Sequence, residues 1–290
     1  MKLKIKMKEY LNLIRIDKSI GTWLLFLPCL FGIALSSKSL FVEGHNLDLI
    51  YTTLLFFIGA FLTRAAGCVI NDICDRNFDR SVKRTKNRPI AAGKISVINA
   101  IIFLVILLFL SLLVLMQFNL PTIILGFISL AFIASYPLMK RYTFYPQFFL
   151  GLTLNLGVLF ASTAILGKIT LVSFLLYLAS VLWTVIYDTI YGYQDAEDDL
   201  KIGVKSTAIK FGQSPQKILY FLTINYFLIL ILLGWTANFQ MAYYAMILLS
   251  AAHLSCQIKT CNFSDSQSCL RKFKSNFWVG VILLLAIILG

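Results

Sequence analysis

The chain has 290 residues, of which 59% are hydrophobic and 13% charged, with a mean hydropathy of +0.82. A soluble domain carries about a quarter charged residues, so this composition excludes one and defines an integral membrane protein. The net charge of +13 points to anionic lipid heads and an anionic substrate and away from nucleic acid. The six cysteines contain no C-x-x-C pair and no useful partnership with His45 or His253, so free thiols and no zinc site are expected.

In chain order, the start MKLKIKMKEYLNLIRIDKS alternates lysine with apolar residues and suits the membrane surface. With the apolar run behind it, it also has the outline of a signal peptide, with Ala34-Leu35-Ser36 as the cleavage site. The long basic region and Asp17 favour a retained anchor. With about 20 residues per span, nine helices are predicted near Ile20–Ser37, Leu49–Ile70, Val97–Gln117, Pro121–Leu138, Gln147–Leu166, Leu171–Tyr187, Ile218–Trp235, Met241–Ile258 and Phe277–Gly290. Pro89 and Gly93 stop any helix running on from the second span. Thr260–Lys274 reads as the last sizeable loop. No soluble domain or linker interrupts the series, so residues 1–290 read as a single transmembrane domain.

Of the 26 lysines and arginines, 24 fall in the N-terminal tail, the even-numbered loops or, for Arg64, the helix leading into the first of them, leaving Lys38 and Lys168 outside. The positive-inside rule then places the N-terminus in the cytoplasm and, with nine spans, the C-terminus on the outer, periplasmic side. The start lacks an Arg/Ser-rich, acid-poor transit peptide, which favours a bacterial inner membrane over a mitochondrial one.

Eight of the 13 carboxylates lie in two stretches on that inner side. In the first, Asn71, Asp72, Asp75 and Asp79 form N-D-x-x-D-x-x-x-D. On a helix Asn71, Asp75 and Asp79 share one face, while Asp72 points about 100° from Asn71. One amide and two carboxylate oxygens form a hard-oxygen set suited to Mg²⁺. Arg80, Lys83, Arg84, Lys86 and Arg88 follow within a dozen residues and suit a polyanion. A metal-bridged phosphate or diphosphate answers both signs of charge. The second stretch runs from Asp188 to Asp199; Asp195 and Asp199 repeat the i, i+4 pairing, and Lys201, Lys205 and Lys210 follow. A single aspartate at a helix end is usually just solvated, but five aligned oxygen ligands at a membrane edge are costly without a function.

The segments RAAGCVINDICDRNFDRSVKRTKNRPIAAG, SYPLMKRYTFYPQ and YDTIYGYQDAEDDLKIGVKSTAIKFG together resemble the UbiA-type intramembrane prenyltransferases over essentially the full length. The first segment is general to that superfamily; the other two point to its hydroxybenzoate branch. Ser19 stands where the family often has proline, and Ile90-Ala91-Ala92 replaces a common Leu-Pro-Ser, which puts loop shape in question but no proposed ligand. The resemblance implies an all-α, polytopic fold of about nine helices around a central cavity open at the cytoplasmic face. It implies Mg²⁺-assisted ionisation of a polyprenyl diphosphate, followed by attack of the ring carbon ortho to the hydroxyl of 4-hydroxybenzoate, a membrane step of ubiquinone synthesis. Asn71, Asp75 and Asp79 are then the first metal set and Asp195 and Asp199 the second, with Asp75, Asp79, Asp195 and Asp199 catalytic. Lys83, Arg88 and Lys205 are candidates for diphosphate contact, though plain positive-inside topology explains them equally well. Arg141 is the candidate for the benzoate carboxylate, and Asp195 for orienting or deprotonating the phenol.

Two rivals remain. Another acceptor, a naphthoate or a haem, needs the same donor machinery. A cation-coupled transporter predicts charges near helix midpoints and paired broken helices, whereas these acids gather at one edge.

Overall fold

The computed structural model describes residues 2–43, 48–82 and 84–290, and among these the chain is helical with no strand. The helices are α1 (Lys2–Leu13), α2 (Ile20–Glu43), α3 (Leu49–Ser81), α4 (Val97–Leu115), α5 (Leu120–Tyr142), α6 (Pro146–Leu154), α7 (Leu156–Leu166), α8 (Leu171–Gly192), α9 (Ala196–Lys201), α10 (Thr207–Phe211), α11 (Gln216–Thr236), α12 (Met241–Thr260) and α13 (Ser266–Leu289). With α6 and α7 counted as one, nine of the described segments are long and apolar enough to cross a bilayer. The chain is a multi-pass membrane protein.

Three predicted boundaries move. α3 does not end at Ile70 but continues to Ser81, carrying the whole first acidic motif. Its 33 residues rise about 50 Å, against a hydrocarbon core of about 30 Å, so its last turns project beyond the lipid tails. α13 begins at Ser266 rather than Phe277, because the Asp265 carboxylate accepts from the backbone N–H groups of Gln267 (2.9 Å) and Ser268 (3.1 Å) and caps it. The expected loop through Lys274 is therefore mostly helix. The fifth span breaks at Asn155, whose Nδ2 donates to the Gly151 carbonyl (2.8 Å) and to Thr184 Oγ1 on α8 (2.7 Å). A buried amide that bonds both its own helix and a neighbour is a recognised cause of such a break.

Three apolar cores hold the bundle, and the two larger bear on the site. The larger gathers Phe31 of α2, Leu159 of α7, Trp183 and Tyr187 of α8, Tyr226 of α11, Ile247 of α12 and Leu283 of α13. The smaller packs Ala65 and Val69 of α3 against Ala100 and Leu107 of α4 and against Ile90 and Ile95. The departure at Ile90-Ala91 thus anchors its loop, since both side chains are buried; Gly93 supplies the positive φ of 71° that turns the chain into α4. α4 itself buries only Ala100 and Leu107, as expected of an apolar helix facing lipid on most sides.

Without a hydrophobic drive between helices inside lipid, close approach of small residues supplies packing. At Gly32 an added Cβ would lie 2.6 Å from the Val158 carbonyl oxygen and 2.7 Å from Ala161 Cβ. The α2–α7 contact therefore depends on this glycine. Gly32→Ala is expected to destabilise the protein by about 1–3 kcal/mol through overpacking, read as a lowered midpoint of thermal unfolding in detergent.

Candidate active site

The acidic motif on α3 presents Asp72, Asp75 and Asp79 as its buried face, each less than about a tenth exposed, with Asn71 half-buried at its edge. At 100° per residue, Asp72 lies only about 20° from Asp79. Measuring its direction from Asn71 alone made it look peripheral; it belongs to the same face.

Buried carboxylates need cations, and these arrive from three segments. Arg15 follows α1 with a left-handed φ of 55°, and its guanidinium bonds Asp72 at 2.6 Å. Arg88 bridges Asp72 (3.2 Å) and both oxygens of Asp79 (3.0 and 2.9 Å). Lys140 at the end of α5 bonds Asp75 Oδ2. Arg84 grips the second motif: its Nε lies 2.8 Å from Asp195 Oδ1, its Nη2 bonds Oδ2, and its Nη1 donates to the Tyr191 hydroxyl at 3.0 Å. The N-terminal tail, the α3–α4 loop, the end of α5 and the α8–α9 turn thus meet at one end of the bundle.

Asp195 precedes α9, and Asp199 lies one turn on, its N–H bonded to the Asp195 carbonyl at 2.8 Å. Burial, with Asp195 adding in the same direction, pushes the Asp199 carboxyl up to about 6. The segment after α9 is stitched across the neighbouring helices: Lys205 N–H donates to the Lys140 carbonyl (2.9 Å) and Thr207 N–H to Gln147 Oε1 (3.0 Å). A cavity of about 120 Å³ lies beneath it, lined by Asn71, Tyr136, Lys140, Gln147, Asp188, Asp199 and Lys205 among others.

Both acidic stretches therefore converge. Asn71, Asp199 and Lys205 line the cavity, Asp75 reaches it through Lys140, and Asp79 and Arg88 pair behind it. Asp195 is paired with Arg84 and does not line the cavity. Arg141 does not line this cavity either. It is exposed, lies over Phe78 at 5.6 Å and donates to the Cys74 carbonyl at 2.8 Å, while its neighbour Lys140 turns toward the cavity. Helical rotation separates adjacent residues by 100°, so only one of the two could point inward. Lys83 and His45 lie outside the described residues.

Tyr136, Lys140, Arg84 and Arg15 were passed over. Tyr136 and Lys140 carried a signal, being i and i+4 on a helix end; the arginines carried none beyond their charge.

Among the described residues no three His, Cys, Asp or Glu side chains converge as a ready metal cage. Mg²⁺ needs no such cage, since it is commonly bound through one or two carboxylates, waters and substrate phosphates. The residues fit that use. Asp75 Oδ1 is buried with no hydrogen-bond partner, Asp199 is raised by burial, and Asn71 adds an amide oxygen at the same cavity.

The chain belongs to the UbiA prenyltransferase family, whose pattern it matches over residues 25–281. It is 46% identical to the mitochondrial 4-hydroxybenzoate polyprenyltransferase of Drosophila melanogaster, over 98% of this chain and 71% of that one. Its identity to the mitochondrial 4-hydroxybenzoate polyprenyltransferase of Arabidopsis thaliana is 44%, over 98% of this chain and 69% of that one. A UbiA homologue from Archaeoglobus fulgidus, solved bound to GPP and Mg²⁺, superposes with a TM-score of 0.68 at 17% identity, covering 97% of this chain and 99% of the other. That likeness is one of fold.

Removing a partner from a buried ion pair strands the remaining charge. Arg88→Met is expected to cost about 3 kcal/mol, because Asp79 then has no cation among the described residues. Arg84→Met should cost clearly less, since the Arg84 side chain is 34% and Asp195 17% exposed. Thermal unfolding of the two variants side by side checks the order.

Proposed function

We propose that the chain transfers a polyprenyl group from polyprenyl diphosphate to the ring carbon ortho to the hydroxyl of 4-hydroxybenzoate, a membrane step of ubiquinone synthesis. The observation carrying this reading is the meeting of the two acidic stretches, with their basic partners, around one cavity at the end of a bundle of this family. The names of the relatives supply the acceptor, and they favour it over a naphthoate or a haem.

Asn71, Asp75 and Asp79 would hold one Mg²⁺ and Asp195 and Asp199 a second, as proposed ligands. Bound Mg²⁺ supplies the positive charge that lets the diphosphate leave. The chain's own part begins with Arg88 and Lys140, which offer guanidinium and ammonium donors to the diphosphate oxygens. Such donors lower the cost of breaking the allylic C–O bond, because the departing negative charge meets fixed positive partners. Arg84 holds the Asp195 end of the second stretch against the loop that follows α3. The ring carbon then forms a bond to the allylic carbon, and the displaced ring hydrogen leaves as a proton, restoring aromaticity. The isoprenoid tail lies among apolar helices, in contact with membrane lipid.

We also propose that residues 1–290 work as one prenyltransferase domain, because the largest core draws side chains from α2, α7, α8, α11, α12 and α13 and the two smaller ones tie α3 to α2, α7 and α4. The excess of lysine and arginine at the site end supports an orientation with the N-terminus and both acidic stretches on the cytoplasmic side of a bacterial inner membrane, and the C-terminus periplasmic. The relatives named above are mitochondrial proteins.

The test is prenyl transfer in membranes containing the protein, with labelled 4-hydroxybenzoate, a polyprenyl diphosphate and Mg²⁺. Product is expected with the wild type. EDTA, Asp75→Ala and Asp195→Ala should each lower its rate by at least about 100-fold, the scale of lost electrostatic stabilisation. A folded wild type without product across several donor lengths would contradict the assignment.

A further inference from the structure

The ion pairs of the site leave a residue. Asp72, Asp75, Asp79 and Asp195 each have an arginine or lysine partner, and Asp198 lies 3.9 Å from Lys201. Asp188 and Asp199 have none among the described residues. Asp199 stands one helical turn from Asp195 and belongs with it. Asp188 is different in position: it sits on α8, seven residues before Asp195, and faces the cavity beside Tyr136. The same cavity contains one cation without a carboxylate partner among the described residues, Lys205. Its Nζ donates once, to the Tyr142 carbonyl at 3.2 Å, and lies 5.5 Å from the centre of the Phe144 ring. An ammonium has three donors, so two remain.

Two unmatched charges of opposite sign on one small cavity call for a ligand that carries a hydrogen-bond donor and an anion. The cavity is about 120 Å³, and a cavity of about 150 Å³ takes up benzene, so the scale is one aromatic ring. A diphosphate would satisfy Lys205 but be repelled by Asp188.

We propose that this cavity is the acceptor pocket, in which Asp188 accepts a hydrogen bond from the phenol hydroxyl and Lys205 faces the carboxylate. The inference rests on the proposed function and deepens it. It moves the carboxylate partner from Arg141 to Lys205, which is thereby taken from the diphosphate contact expected of it, and the phenol partner from Asp195 to Asp188. It also explains the choice of acceptor: a ring with a hydroxyl at one end and a carboxylate at the other meets both charges, and a ring lacking either leaves one of them unmatched.

The experiment uses the full chain in lipid nanodiscs, with geranyl diphosphate and Mg²⁺ as donor and 4-hydroxybenzoate or its methyl ester as acceptor. Asp188→Asn keeps the shape of the side chain. Its kcat/KM for 4-hydroxybenzoate is expected to fall about 10- to 100-fold, the worth of one hydrogen bond to a charged group. The KM for donor, and the Mg²⁺-dependent thermal shift produced by donor alone, should stay within about twofold. Lys205→Met should raise the KM for 4-hydroxybenzoate about 10-fold, yet match the wild type on the ester, which has no carboxylate to lose. Equilibrium dialysis of labelled 4-hydroxybenzoate should show the same weakening in both variants.

Asp188→Asn that abolishes the Mg²⁺-dependent donor shift would make Asp188 a metal ligand and overturn the proposal. So would unchanged acceptor kinetics, or a Lys205→Met loss that is equal on acid and ester. A wild type that transfers nothing to 4-hydroxybenzoate would contradict the functional reading itself; if dialysis then still shows binding that Asp188→Asn weakens, the pocket stands without it.

Discussion

The whole site end of this bundle depends on the need to neutralise carboxylates removed from water. Three aspartates on one face of α3 are almost fully buried, at a cost several kcal/mol each would carry if left alone. The chain meets that cost by drawing in Arg15, Arg88 and Lys140 from segments 57, 16 and 65 residues away. Arg84 adds a fourth tie, across 111 residues, to the second acidic stretch. These ties bring a tail, two loops and two helix ends together over a single cavity.

The same charges suit the chemistry proposed for them. A guanidinium or ammonium that holds an aspartate also has donors free for a diphosphate, and a carboxylate that releases a cation becomes available to a metal. Binding of donor and metal then becomes an exchange of partners within a balanced set, which avoids burying new net charge. The acidic stretches do not form one five-ligand cage, and Mg²⁺ does not require one when phosphates and waters complete its shell.

Much of this was legible in the sequence because membranes limit the options. Nine apolar runs and one-sided lysine and arginine give nine spans and their common end, since lipid leaves few alternatives to a helix. The continuation of α3 to Ser81 was legible in the helical spacing of its acids, with Pro89 as an outer limit, but not in the hydropathy that ended the span at Ile70. Its charged last turns look like a loop by hydropathy, and only the cations that neutralise them keep them helical and buried. The break at Asn155 was hidden for a related reason: one amide in an apolar run has little weight, and its bond to Thr184 is tertiary. At the site, motif spacing found the acids, because i, i+4 repeats follow from helix geometry. It placed Asp72 too far from Asp79, and it chose Arg141 over Lys140, because the direction of adjacent side chains depends on how α5 is rotated against α3. Residues that act from a distance, such as Arg15 and Arg84, have no spacing to find.

The central claim is that metal and donor bind as one charge-balanced unit to the paired ions of this site. Titration of the reconstituted protein with a non-ionisable thiodiphosphate analogue of the donor, with and without saturating Mg²⁺, tests it directly. The account predicts that Mg²⁺ tightens analogue binding at least about 10-fold and that the analogue tightens Mg²⁺ binding by the same factor, as linkage requires. Analogue binding of equal strength in both titrations would contradict it.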